Sequence, residues 1–309
     1  MRRAFGLADW PATVRAPVLA LGTFDGVHLG HRRVIGLAVE RARARGGPAA
    51  VLTFEPHPLE VLRPAAEPVL LTTIDERLDL FASLGVDVAL VLPFDETFAR
   101  ISASAWLDDV LRARLDAREI VAGSSYTFGF RREGTARRLL AWGRAADVPV
   151  HLEPAVLAGG EPVTSTRIRA TLREGLVEDA ARLLGRPYGL TGPVVRGEGR
   201  GRTIGVPTAN LAVGPRKIVP AHGVYATMAT VGARRYRAAT NVGTRPTFGG
   251  TTLSVETFLL DFDGECLGEP MSLEFVRRVR EERTFPDAAT LVRQIGDDVA
   301  AVRELLRDQ

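Results

Sequence analysis

From Val18 to about Gly185, short apolar runs alternate with amphipathic stretches. The apolar runs predict strands over Val18 to Phe24, Ala49 to Phe54, Val86 to Phe94, Glu119 to Ala122 and Val148 to Leu152. The stretches between them predict helices over Arg32 to Arg45, Asp75 to Leu84, Ala105 to Leu115 and Thr135 to Ala146. Thr73 followed by Glu76 reads as a capping box for the second of these. Strand and helix in alternation predict an α/β half with a parallel sheet covered on both faces. Ligands of such sheets bind beyond the carboxyl ends of the strands. Two further helices, Ser165 to Glu174 and Val177 to Leu184, close this half.

After Gly185-Arg186-Pro187 the texture changes, and glycine and proline become frequent. The β-rich runs Gly223 to Val231, Arg235 to Val242, Leu253 to Phe262 and Met271 to Arg277 predict an all-β half, an antiparallel barrel or sandwich. A last amphipathic helix, about Asp287 to Leu306, is expected on its outside. No internal repeat or low-complexity linker separates the halves, so the chain reads as two closely joined domains, 1–186 and 187–309.

Composition narrows the classes. The chain has 309 residues, enough for two cores, and 46% apolar with 25% charged residues is a folded profile. No apolar run approaches the roughly 20 residues of a membrane-spanning helix, and Met1 to Asp25 carries no apolar core or clear cleavage site of a secretory signal. The single cysteine, Cys266, excludes an internal disulfide and a multi-cysteine zinc site, and points to the cytoplasm. The formal net charge is +3, and Lys217 is the one lysine among many arginines. Basic residues can mark a nucleic-acid binder. Here they mix with apolar and acidic residues in helical stretches such as Arg41 to Arg45, which reads better as a solvated surface. Neither nucleic acid nor membrane is therefore expected as a partner. Lys217 precedes Ile218 and fits neither a P-loop nor a kinase strand lysine. If ATP is used, arginine, histidine, backbone amides and a metal must manage its phosphates.

The strongest chemical signal of the first half is Gly22-Thr23-Phe24-Asp25-Gly26-Val27-His28-Leu29-Gly30-His31, between a buried strand and a helix. Gly22 and Gly30 let the backbone approach a phosphate, and the following helix offers amides and the positive end of its dipole. His28 and His31, three apart, can both donate to one phosphoryl group as charge builds on its oxygens. A loop whose histidines only bond the backbone is the alternative. The second signal, Thr164-Ser165-Thr166-Arg167-Ile168-Arg169, puts hydroxyls and arginines at a helix start. That is a grip for phosphates or, taken alone, an ordinary N-cap.

In the second half, the glycine-arginine stretch holding Gly199 and Arg202 reads either as a loop over phosphates or as a surface turn. Thr208 and Asn210, two apart, put neutral oxygens on one side of an extended segment, a set that suits Mg2+ beside ATP phosphates. Glu256, among apolar neighbours in a β-rich run, is a base or an outward carboxylate.

The His-x-Gly-His turn with the later Ser-Thr-x-Ile-Arg resembles the HxGH nucleotidyltransferases. The longer string GTFDGVHLGHRRVI, then TFEPHP at Thr53 to Pro58, resembles the bacterial bifunctional riboflavin kinase/FMN adenylyltransferase (FAD synthetase) family. GRGRTIGVPTANL, HGVYA, NVGTRPTF and SVETFLLDF resemble its riboflavin kinase module, and the likeness runs from about Ala16 to Leu306. It implies a six-stranded antiparallel barrel behind the α/β domain. It implies that His28 and His31, with Gly22, Phe24, Asp25 and Gly30, handle ATP. Ser165, Thr166 and Arg169 would hold pyrophosphate, and Phe54, Pro56 and His57 would lie near the flavin phosphate. His57 also reads as a plain turn histidine between prolines. In the kinase half the resemblance implies Gly199 and Arg202 over the phosphates, Thr208 and Asn210 on Mg2+, and Glu256 as base on the ribityl 5′-hydroxyl. Asn241 would touch a substrate, and Arg280, Glu282 and Phe285 would border the flavin. Riboflavin, FMN, FAD and ATP are the implied substrates and products.

The family's Gly-x-Asp-Phe-x-Phe-Gly reads here Gly123-Ser124-Ser125-Tyr126-Thr127-Phe128-Gly129, with Ser125 in the aspartate's place. Leu267 stands where a tyrosine is usual, beside Cys266. Ser125 keeps open a monofunctional riboflavin kinase with a degenerate first half. A non-catalytic flavin-binding regulator and a nucleotidyltransferase for another phosphorylated substrate also stay open. Oligomeric state is not legible.

Overall fold

A computed structural model describes residues 1–66, 69–197, 205–247 and 250–309. Contacts divide the chain into two compact units, Met1–Ser165 and Thr166–Gln309.

The first unit carries six parallel strands: β1 (Arg2–Phe5), β2 (Val18–Leu21), β3 (Ala49–Glu55), β4 (Val88–Pro93), β5 (Glu119–Gly123) and, after two short hairpin strands β6 (Thr127–Phe128) and β7 (Gly134–Thr135), β8 (Val150–Glu153). They lie in the order β1-β4-β3-β2-β5-β8, all parallel. The connecting helices are α1 (Leu29–Ala44), α2 (Pro58–Leu62), α3 (Ile74–Ser83), α4 (Ala103–Ala105, running on as a π-helix over Trp106–Arg114) and α5 (Ala136–Ala146). A hairpin of β9 (Leu157–Ala158) and β10 (Glu161–Pro162) leads to α6 (Ser165–Arg173).

Strand β2 is buried on both faces, with Leu19 and Leu21 in one core and Val18 and Ala20 in the other. That is why the central runs read as unbroken apolar stretches rather than alternating ones. Helix α1 supplies Val34, Ile35, Ala38 and Ala42 to the second core, one stripe at helical spacing. From β2 the chain winds through β3 and β4 to one side, then returns through β5 and β8 to the other. The crevice beyond the carboxyl ends of β2 and β5 is therefore the topological switch point, where open α/β sheets bind ligands.

The second unit holds α7 (Val177–Leu184) and a closed barrel. Its strands are β11 (Tyr188–Val195), β12 (Ala209–Leu211), β13 (Gly223–Val231), β14 (Arg234–Thr247), β15 (Gly250–Leu259) and β16 (Pro270–Arg280). The order around the barrel is β11-β12-β15-β14-β13-β16, with every pair antiparallel. Of the two architectures left open, the barrel forms. The sequence pattern passed over β1, β11 and β12; β1 is short and charged, β11 holds two glycines and a proline, and β12 has three residues.

Along β13, Tyr225, Thr227 and Ala229 alternate with Ala226 and Met228, which pack beneath the last helix, α8 (Ala288–Leu305), through Val302 and Leu306. The Arg280 guanidinium ties this helix to β16 by three hydrogen bonds of 2.8 to 3.1 Å to Asp298. Lys217, the lone lysine, places Nζ 5.0 Å from the centre of the Tyr188 ring. Among the described residues, no helix is long and apolar enough to cross a membrane.

At the amino edge of β5, Glu119 is fully buried and accepts from Arg41 and Arg45 of α1 and its end, the latter at 2.7 Å. His151 Nε2 lies 2.7 Å away but out of line for a hydrogen bond. Burial raises the Glu119 carboxyl, but the hydrogen bonds from Arg41 and Arg45 and the nearby charges outweigh it, leaving the group below its ordinary value. Such a group adds stability above its unfolded pKa, and the gain is lost as pH falls through its folded pKa. All three tryptophans, Trp10, Trp106 and Trp142, lie in the first unit, so their fluorescence reads that unit alone. Glu119→Gln should lower its unfolding free energy at pH 7 by about 1.5–3 kcal/mol and flatten its loss of stability below pH ~4, as followed by urea titration of that fluorescence.

Candidate functional site

Where β2 ends, the chain does not run straight into α1. Phe24, Gly26 and Val27 all adopt positive φ, at 51°, 85° and 41°. For phenylalanine and a β-branched valine that conformation is strained and persists only where surroundings enforce it. The enforcement is visible. The Asp25 carboxylate, buried, accepts from Leu71 N and Thr72 N at 3.0 Å and from the Thr72 hydroxyl at 3.1 Å. Thr72 Oγ1 in turn accepts from Gly26 N at 2.9 Å. On the far side, Ser165 Oγ donates to the Asp25 carbonyl at 2.9 Å. A Cβ at Gly26 would meet Leu71 Cδ1 at 2.6 Å, and one at Gly22 would meet the Phe24 ring at 2.9 Å, so both glycines are required by close approach.

The turn delivers two imidazoles to the start of α1. His28 is the N-cap, an unusual residue there, with Nδ1 accepting from His31 N at 3.3 Å. An accepting Nδ1 leaves the proton of the neutral ring on Nε2. The two rings stack, centroids 3.5 Å apart and 19° from parallel, and Phe24 meets His31 edge-on at 5.3 Å. Burial first, then His28 and the charge of Arg77, hold His31 well below the ordinary imidazole value. Gly30 fits because a Cβ would reach His28 Cε1 at 3.1 Å. The result is a pair of stacked rings at a helix N-terminus on the ligand-binding edge of the sheet, an arrangement suited to an anion.

The other first-unit candidates surround this edge. Phe54 packs against Phe94, Phe98 and Trp106 at 5.5 to 6.2 Å. His57 caps α2, its Nδ1 accepting from Leu59 N at 3.1 Å while its backbone N–H donates to Glu60 Oε1 at 2.9 Å. Ser125 is exposed on the turn after β5, whose carboxyl end adjoins that of β2. Ser165 is the last residue of the first unit, and Thr166 and Arg169 continue α6 in the second.

In the barrel, register assembles what sequence separates. Glu256 of β15 stands opposite Asn210 of β12 on one side and opposite Asn241 of β14 on the other. Residues directly opposite share a face, so the three form one row. Ser254, two residues back, donates to Glu256 Oε1 at 2.9 Å. Glu282 lies over Gly243, with Oε2 3.4 Å from His222 Nδ1. Asn210 is buried, and a Cβ at Gly197 would collide with its side-chain amide, so the backbone crosses closely there. Thr208 is half-buried, two residues before Asn210. Thr257 and Thr240, on the opposite face, join Thr227 in a buried hydroxyl chain of 3.1 and 2.7 Å. The Arg280 guanidinium is committed to Asp298, with Phe285 5.7 Å from its Cζ. Gly199 and Arg202 lie outside the described residues.

Residues 11–167 match the family described as FAD synthetase, and residues 184–306 match riboflavin kinase. A Bacillus subtilis (strain 168) protein named bifunctional riboflavin kinase/FMN adenylyltransferase is 38% identical over 287 residues, 91% of this chain and 90% of the relative.

The chain belongs to the bifunctional riboflavin kinase/FMN adenylyltransferase family.

An Escherichia coli (strain K12) member of this family is 35% identical over 288 residues, covering 93% of this chain and 92% of its own length. A solved structure from Streptococcus pneumoniae, described as a macrolide-efflux protein, shares the fold with a TM-score of 0.90 and 32% identity, covering 98% of this chain and 99% of that one. The likeness is one of fold and sequence; efflux is a description of that protein. The resemblance read from the motifs is thus a family membership across both halves.

Sequence reasoning passed over Arg77 and Thr72, which hold the turn. Arg77 lies in the amphipathic stretch Asp75 to Leu84, where no motif marks it. The available signal was its position: 77 falls with Leu78 and Phe81 on the buried stripe of α3.

Asp25→Ala leaves two buried backbone amides without their acceptor, at about 1–3 kcal/mol each. Urea unfolding followed by tryptophan fluorescence should show the first unit destabilised by at least about 2 kcal/mol.

Proposed function

We propose that the chain converts riboflavin to FAD in two ATP-dependent steps, phosphorylation in residues 187–309 and adenylylation of the resulting FMN in residues 1–186. The observation that carries the reading is that each family match falls on a unit holding its own assembled constellation, the row Asn210–Glu256–Asn241 in one and the stacked His28 and His31 in the other.

In the phosphorylation, Glu256 takes the proton of the ribityl 5′-hydroxyl as its oxygen attacks the γ-phosphorus of ATP, and ADP leaves. Ser254 orients the carboxylate through its hydrogen bond to Oε1. Asn241 sits beside the base to hold the substrate. The oxygens of Thr208 and Asn210 would hold Mg2+, a hard cation that keeps several waters and takes few protein ligands. The donor chemistry suits that ion: Thr208, half-buried, and Asn210, buried on β12, offer neutral oxygens two residues apart. When bound, Mg2+ neutralises phosphate charge. Gly199 and Arg202 complete the phosphate grip in this reading.

In the adenylylation, a phosphate oxygen of FMN attacks the α-phosphorus of the second ATP, and pyrophosphate leaves. His28, with its proton on Nε2, and His31 donate to the phosphate oxygens, and Gly22 and Gly30 admit the nucleotide. Ser165, Thr166 and Arg169 hold the departing pyrophosphate, while Phe54 and His57 border the flavin. Ser125 stands exposed on the turn after β5 in place of the family's aspartate, and the hydrogen bonds that hold the histidine turn run through Leu71, Thr72 and Ser165 instead. The cytoplasm is the setting we assign, with small molecules as the only partners required.

A chromatographic time course with riboflavin, ATP and Mg2+ should show FMN first and FAD after it, and a tube begun with FMN should show FAD. FMN without FAD in both tubes would contradict the adenylylation, and no flavin product would contradict both steps. Glu256→Gln should slow FMN formation by roughly 10²–10⁴-fold, the range for loss of a general base, while FAD formation from FMN proceeds as in the parent.

A further inference from the structure

Helix α3 presents Arg77 and Phe81, one turn apart, to the underside of the histidine-bearing turn. Phe81 packs edge-on against Phe24 at 5.7 Å, and Phe24 against His31. Arg77 is completely buried, which is rare for arginine. Its Nη1 donates to Thr23 O at 3.1 Å, Thr53 Oγ1 at 3.3 Å and Phe54 O at 3.2 Å. Thr53 Oγ1 also donates to Thr23 O at 2.8 Å. One guanidinium nitrogen thus joins the carboxyl ends of β2 and β3, the two strands from which the ligand-binding edge is built.

Those partners are neutral oxygens. The one ion pair of Arg77 among the described residues is with Glu55, at 4.0 Å, beyond hydrogen-bond reach. Nε and Nη2 of Arg77 and Oε2 of Glu55 are buried without a hydrogen-bond partner among the described residues. A buried carboxylate salt bridge with good geometry would cancel most of the guanidinium field locally; this arrangement leaves part of it to act across the turn.

We propose that Arg77 is a positioning residue for adenylyl transfer, bracing the turn that carries the histidine pair and setting the charge around it. The inference rests on the adenylyltransferase reading of the first unit. Arginine is fitted to the role because it stays protonated even when buried, where burial pulls its pKa down and Asp25, Glu55 and Glu76 push it back up. The groups facing His31 are His28 from its own turn and Arg77 from α3, both disfavouring its protonation along with burial. His31 Nδ1 is buried with no hydrogen-bond partner among the described residues, so a charged ring there would have one proton unsatisfied. The ring is therefore neutral before the nucleotide arrives, and ready to donate from one nitrogen to a phosphate oxygen. A protonated His31 would bind ATP and pyrophosphate alike more tightly and slow product release.

The test compares the whole chain with Arg77→Lys and Arg77→Met. Three readouts are taken: FAD formation from FMN across pH, the imidazole titrations by NMR, and unfolding of the first unit by tryptophan fluorescence. Riboflavin phosphorylation in the second unit is the internal control and should stay within about twofold. In the parent, the His31 ring should titrate clearly below the ordinary value of about 6.5. Arg77→Met should move that midpoint up and carry the acidic limb of kcat for FAD formation up with it, with a loss of tenfold or more near pH 6.5 and a smaller one near pH 8.5. Arg77→Lys loses the fork and, as an amine whose charge burial disfavours, should lose kcat at every pH and place the limb between those of the parent and Arg77→Met.

A folded Arg77→Met with the parent's pH profile and His31 midpoint would overturn the proposal. If that variant does not fold, the other two chains decide: a parent His31 titrating at or above about 6.5, or an Arg77→Lys chain with the parent's kcat at every pH, would overturn it. If the parent makes no FAD from FMN, the adenylyltransferase reading falls, while the His31 titrations still report whether Arg77 acts on that ring.

Discussion

A strained turn at the end of a buried strand cannot hold itself, and the first unit is arranged around holding one. Phe24, Gly26 and Val27 sit at positive φ because Asp25 is bound by the amides of Leu71 and Thr72 below and its carbonyl by Ser165 above. Residues 71 to 81 act as one clamp: two amides and a hydroxyl take the carboxylate, Arg77 takes the strand-end carbonyl, and Phe81 seats the Phe24 ring. Release of any one contact lets the turn relax toward ordinary φ and moves both imidazoles, since they sit at the cap and first turn of the helix that follows.

The barrel meets the corresponding demand by closure instead of strain. Its row Asn210–Glu256–Asn241 exists only because β12, three residues long, enters the sheet beside β15 and brings Asn210 level with Glu256, while β14 brings Asn241 level from the other side. A slip of one residue would turn Glu256 inward and Thr257 outward. The buried hydroxyl chain Thr227–Thr240–Thr257 opposes that slip, because each threonine would lose its partner. The placement of Glu256 and the interior of the barrel are thus fixed by the same register.

What the sequence made legible was local. The His-x-Gly-His turn, the capping box at Thr73, the central apolar strands and the terminal helix each declare themselves within a dozen residues, and each is found. Contacts between distant segments were not legible. Nothing near Arg77 says that its guanidinium reaches Thr23, and nothing near Asn210 or Asn241 says that they flank Glu256. Asp25 and Arg280 entered as ligand-facing candidates by motif, but their charged groups meet Leu71, Thr72 and Asp298, contacts that only the folded chain defines. Strand β12 went unseen for the same reason: three residues carry no period, and it is a strand because β11 and β15 accept it.

The central claim is that one chain carries two complete and separable sites. Mixing two singly disabled chains, one with Glu256→Gln and one with His28→Asn and His31→Asn, tests it directly. Neither alone should take riboflavin to FAD; together, with ATP and Mg2+, they should, because free FMN made by the second is adenylylated by the first. If both chains are folded, and each retains its one remaining step, yet the mixture yields no FAD, the two sites do not work as separable stations and the account is contradicted.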